Sequence, residues 1–191
     1  MRQLLKPEIY KSLLSADPAE LEPWKKNVLA WEILERLVST CEGSLVGRRD
    51  NALILFAFAS GCCKHSILAS VKIEDLIRTR GGYIYKPRTC TDHEGTGTYF
   101  LIMGRAASAL NTWLKASGLT KGKLFRGITR TGKITEGICN KTVARVLKKR
   151  ASLIGQNSSV FKWFSSLAGE MMCRNTEQLM PCEQGASLAR H

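Results

Sequence analysis

The sequence predicts a mainly helical α+β domain, multihelical around a small antiparallel β-sheet. Three observations carry this reading. Apolar residues recur at helical spacing along most of the chain. The period shortens once, around Gly81-Gly82, where Ile77-Arg78-Thr79-Arg80 and Tyr83-Ile84-Tyr85-Lys86 read as a hairpin with a two-residue turn. A length of 191 residues with 44% hydrophobic content suits one core, with or without terminal extensions.

Residues 1–23 read as short helical pieces broken at Asp17-Pro18 and Glu22-Pro23, the first step having the form of an N-cap followed by a first-turn proline. Trp24 to Cys41 is predicted helical, with Val28, Leu29, Trp31, Ile33, Leu34, Leu37 and Val38 at helical spacing. Gly43 to Gly47 ends that helix. Arg49 to Ser60 is almost wholly apolar after its first turn, which predicts a central, buried helix. Its apolar run, Ala52 to Ala59, is far shorter than the roughly 20 residues a bilayer span needs. Gly61 stops it, and Lys64 to Ser70 forms a third, short helix.

After the hairpin and a polar loop at 87–97, Tyr99 to Met103 reads as a third strand. Arg105 to Ser117 is a helix with Ala106, Ala109, Leu110, Trp113 and Leu114 on one face. Gly118 to Gly137 is a basic loop or irregular hairpin. Asn140 to Leu153 is an amphipathic helix, with Val143, Val146, Leu147 and Ile154 on one side and Arg145, Lys148, Lys149 and Arg150 on the remainder. The division expected is an N-terminal extension at 1–23, one domain at 24–180 and a tail at 181–191.

Charge narrows the function. The formal net charge is +13, and the segments before residue 51 and after residue 150 are each balanced. Within 121–150, ten basic residues (Lys121, Lys123, Arg126, Arg130, Lys133, Lys141, Arg145, Lys148, Lys149 and Arg150) face only Glu136. A field this localised attracts a polyanion, with double-stranded DNA first and an anionic membrane surface second. The opening MRQLLKPEIY has no sustained apolar stretch, so neither a secretory signal nor a membrane partner is expected. The seven cysteines are odd in number and contain no CxxC pair, which reads as reduced thiols in a cytoplasmic protein. Cys62, Cys63 and His65 match no common zinc spacing, so neither a metal nor a cofactor is expected.

Several strings occur in a telling order. They are Arg49-Asp50-Asn51-Ala52-Leu53-Ile54-Leu55, then Gly61 to Leu68 closing with Val71 to Leu76, then Thr91-Asp92-His93-Glu94-Gly95. Leu124-Phe125-Arg126 and Val143 to Ala151 complete the series. Together they resemble the catalytic domain of tyrosine recombinases, the phage-integrase family, over roughly residues 24–180. The resemblance implies a multihelical tyrosine-recombinase-like domain that grips duplex DNA, with the Asn140 helix near the family's DNA-reading element.

The chemistry departs from that pattern. These enzymes attack a backbone phosphate with a tyrosine, while two arginines stabilise the developing charge and lysine and histidine handle protons. The first arginine position aligns with Lys64, which keeps a charge but lacks the planar fork. The glutamate position falls on Ile67 and the hairpin lysine on Cys90. The histidine and second arginine positions fall on Phe164 and Leu167. The four tyrosines are at 10, 83, 85 and 99, so none lies beyond residue 99, whereas the family's nucleophile lies near the C-terminus. Cys173 and Cys182 lie toward that end without an arginine pair to assist them.

The expectation is therefore a DNA-binding protein that is not an enzyme, a transcriptional regulator or an accessory factor of a mobile element. The DNA-binding residues expected are Lys64, Arg126, Arg130, Lys133, Asn140, Lys141, Thr142, Arg145, Lys148, Lys149 and Arg150, with Asn140, Lys141, Thr142 and Arg145 expected to read base edges and Arg126, Arg130, Lys133, Lys148, Lys149 and Arg150 to contact phosphate. Only about twenty residues precede the first matching helix, so self-association or a partner protein is expected to supply the other half of a clamp. Two alternatives stand beside this reading. One is a divergent recombinase with a nonstandard nucleophile, and the other is an interaction module that modulates an active recombinase.

Overall fold

A computed structural model describes residues 23–61, 64–87 and 99–156, and of residues 23–30 the backbone alone. In chain order it holds α1 (Pro23–Ser39), α2 (Leu45–Ala59), α3 (His65–Ser70), a 3-10 turn (Ile73–Asp75), β1 (Leu76–Thr79), β2 (Gly82–Tyr85), β3 (Phe100–Met103), α4 (Gly104–Ser117) and α5 (Asn140–Leu153). The strands form one antiparallel sheet in the order β1-β2-β3. The mainly helical α+β reading holds.

Helix α2 is the centre, because a helix apolar all round can only be buried. Ala52, Leu53, Ile54 and Phe56 are essentially inaccessible. Phe56 meets Tyr85 of β2 edge-on at 5.0 Å and Phe125 at 5.6 Å, tying helix, sheet and the basic segment into one core. Helix α4 lies along α2 and buries Trp113, whose indole N–H donates to the Leu124 carbonyl at 2.8 Å. From α1 come Ile33, Leu34 and Leu37.

Most boundaries move by a residue or two from the sequence reading, and two differences have a clear physical cause. Helix α2 starts at Leu45, four residues before Arg49, because Ser44 caps it by accepting from the Gly47 N–H at 3.1 Å. Gly47 therefore sits inside the helix instead of ending one. It is there for space, since a Cβ would lie 2.0 Å from the Glu42 carbonyl oxygen. In the hairpin Thr79 pairs with Gly82, so the turn residues are Arg80 and Gly81, one position earlier than expected.

The segment from Gly118 to Cys139 has little regular structure, but its backbone is well satisfied. Leu124 N–H donates to Val71 O and Ile73 N–H to Gly122 O, stitching it to the end of α3. Farther on, an Ile128–Ile134 bridge and the bonds from Gly127 to Gly137 O and from Thr129 to Lys133 O make an irregular hairpin. Its tip closes at Gly132, with φ of +82°.

Candidate nucleic-acid interface

Helix α5 carries the concentrated charge, and its boundaries are those read from sequence. Val143, Val146, Leu147 and Ala151 are buried against the core. Asn140, Lys141, Arg145, Lys148 and Lys149 are exposed, and Thr142 is half-buried. The hairpin before it adds exposed Arg130 and Lys133 at its tip. Glu136 is the acidic residue in this stretch, so the field stays positive.

Arg150 is a correction. The sequence reading placed it on the DNA-facing side, but it is 4% exposed and points inward. Its Nε and Nη2 donate to Asp50 Oδ2 at 3.0 and 2.7 Å, and Nη1 reaches the Thr40 carbonyl. Arg49 takes the other oxygen, with Nε and Nη2 at 2.9 and 2.6 Å from Oδ1, while its Nη1 lies 3.4 Å from the Arg126 carbonyl. One buried carboxylate thus joins two guanidinium groups and links α2, α5, the end of α1 and the basic segment. The physical reason is desolvation: a cation this deep persists only when paired and hydrogen-bonded.

Arg126 is largely occupied as well, since its guanidinium donates to Lys121 O at 2.7 Å and to Lys123 O at 3.1 Å. It braces the loop that displays Lys121 and Lys123. Arg145 rests against its own helix through Thr142 Oγ1 at 3.3 Å. Lys64 is exposed just before α3, apart from the α5 residues in sequence, although α3 packs on α5.

Two cavities flank the first turns of α5. One, of about 630 Å³, lies against α3 and includes Lys123, Asn140 and Lys141. The other, of about 620 Å³, lies between the start of α2, the 127–137 hairpin and α5, and includes Arg49, Arg145 and Lys149. Sequence reasoning missed Arg49, whose only signal was its place in the Arg49-Asp50 string. It also missed Cys139, at the N-cap of α5 between the two cavities. The Thr142 hydroxyl, 3.2 Å from Sγ, together with backbone N–H groups of the first turn, holds this exposed thiol below the usual range. Burial pushes the Cys41 thiol up, against a smaller opposing pull from Arg150.

Among the described residues no group of three or more His, Cys, Asp or Glu side chains is placed to hold a metal. None of the described helices is long and apolar enough to cross a membrane. Cys62, Cys63, Cys90, the 91–95 string, Phe164, Leu167, Cys173 and Cys182 lie outside the described residues, as do the pieces at 1–22 and the tail.

No protein-family model matches the sequence. The chain is 32% identical over 136 residues to an integrase/recombinase xerD homolog of Selenomonas ruminantium, an alignment covering 67% of this chain. It spans 40% of that relative's length. Its fold is similar to that of a crystal structure of the XerA recombinase, with a TM-score of 0.54 at 15% identity, covering 88% of this chain and 77% of the other. The expectation that the chain is no enzyme is overturned here, because the matched relative is named for an enzymatic activity. The replaced positions mark departures from the family pattern.

Proposed function

The chain is a tyrosine-recombinase-like domain, and from that premise we propose that it binds duplex DNA as part of a divergent site-specific recombinase or integrase. The observation that carries the reading is the exposed cationic face of α5 and its hairpin, kept at the surface while Arg150 is spent inside. Arg130, Lys133, Lys141, Lys148 and Lys149 serve phosphates, with Arg126 and Lys64 at the margins. Asn140, Thr142 and Arg145, on the opening turns of α5, serve base edges, where arginine and asparagine make paired hydrogen bonds. A second copy or a partner protein closes the other side of the duplex, which raises affinity by linkage. Occupancy of a chosen site also supports accessory or regulatory work for a mobile element, through the same contacts.

The test is to recover bound fragments from sheared genomic DNA and assay the enriched site by gel shift. The reading expects a common sequence among the fragments and tighter binding to it than to a scrambled duplex. Equal retention of all fragments, or none at moderate salt, overturns site-specific binding. Strand cleavage is read separately, by trapping a covalent protein–DNA adduct on nicked duplex.

A further inference from the structure

The cavity between α2, the hairpin and α5 has a composition of its own. Its cations are Arg49, Arg145 and Lys149, and its apolar surface includes Val46, Ile128 and Val146. Its carboxylate, Asp50, has both oxygens engaged by Arg49 and Arg150, so the buried cluster keeps an excess of positive charge. Arg49 is 5% exposed and held rigidly by Asp50. Of the five N–H donors a guanidinium carries, its bonds to Asp50 and the Arg126 carbonyl use three. A volume of about 620 Å³ falls within the range of small-molecule sites. That is far more than a bare phosphate fills.

We propose that this cavity binds a phosphate ester of roughly mononucleotide size, its phosphate drawn to Arg49, Arg145 and Lys149 and its apolar body against Val46, Ile128 and Val146. Guanidinium groups match phosphate oxygens in pairs, and the low-dielectric setting of Arg49 strengthens each contact. The apolar wall then favours an ester over inorganic phosphate. The ester is either a nucleotide unit of a DNA strand or a free nucleotide. The inference rests partly on the DNA-binding reading, because Arg145 and Lys149 serve both.

Calorimetric titration of the full chain with inorganic phosphate, dTMP and a short duplex tests this. The cavity predicts saturable binding of dTMP at one site, at least about tenfold tighter than inorganic phosphate. K149Q weakens dTMP binding about tenfold or more, as expected for losing a charge-assisted contact. K115Q removes the same charge from the exposed last turn of α4 and leaves dTMP binding unchanged. Both sites are exposed, so both variants fold. Failure of dTMP to saturate, or equal weakening by the two variants, overturns the proposal. If the duplex binds and dTMP does not, the cavity site falls while DNA binding stands. If dTMP binds and the duplex does not, the reverse holds. Displacement of bound duplex by dTMP identifies a strand nucleotide as the source, and a ternary complex identifies the free nucleotide.

Discussion

Replacing Asp50 by asparagine should be among the most destabilising single changes in this domain. In the native cluster one carboxylate receives four N–H contacts, two from Arg49 and two from Arg150, all between 2.6 and 3.0 Å. Asparagine keeps one oxygen and turns an NH₂ group toward one of the guanidiniums. Two of the four charge-assisted bonds are lost, each worth about 1.5–3 kcal/mol. The expected loss is therefore about 3–6 kcal/mol, in line with the roughly 3–5 kcal/mol seen when one partner of a buried pair is removed. Such a loss is a large part of the 5–15 kcal/mol, roughly, that holds a domain folded.

Charge arithmetic adds a second, sharper expectation. D50N leaves two buried cations with no anion, whereas R150M leaves the neutral Arg49–Asp50 pair, so D50N should be the worse of the two. Equilibrium urea denaturation reads both, as a fall in midpoint at unchanged slope. A loss below about 1 kcal/mol for D50N, or R150M proving worse than D50N, refutes the reasoning that this cluster anchors α5.

Three further expectations follow from the same contacts. R145A should relax discrimination at one base pair by about 1–3 kcal/mol, measured on a panel of singly substituted duplexes; a uniform loss across the panel places Arg145 on phosphate instead. W113F removes a buried N–H bond to the Leu124 carbonyl and should cost about 1–3 kcal/mol in the same urea assay, and a neutral result disproves that role. Alkylation followed by peptide mapping should give Cys139 a rate midpoint at lower pH than an ordinary thiol and Cys41 one at higher pH, because the thiolate is the reacting form. Equal midpoints contradict the assigned environments.

Much of this was legible in the sequence where one helix period decides the matter. The bounds of α5 came from Val143, Val146 and Leu147 at 3.6-residue spacing, and its charged side from the residues between them. The same spacing held the answer for Arg150. It lies four residues after Val146 and three after Leu147, on the buried stripe, and grouping it with Lys148 and Lys149 as a run hid this. Its partner, Asp50, is a hundred positions away, and no local rule connects the two. The start of α2 was lost because Gly47 looked like a breaker, when its lack of a side chain serves a close pass by the Glu42 backbone. The cavity at Arg49 could not be read at all, since three separate segments build it.

The central claim is that the exposed face of α5 and its hairpin grips duplex DNA through phosphate. The salt dependence of duplex affinity tests it most directly. With Arg130, Lys133, Lys141, Lys148 and Lys149 available, engagement of about four to five phosphates predicts a slope of log Kobs against log salt of roughly −3.6 to −4.5. K148A/K149A should weaken binding on every sequence and make that slope less negative by about 2. A wild-type slope near zero, or a slope the double variant leaves unchanged, contradicts the account.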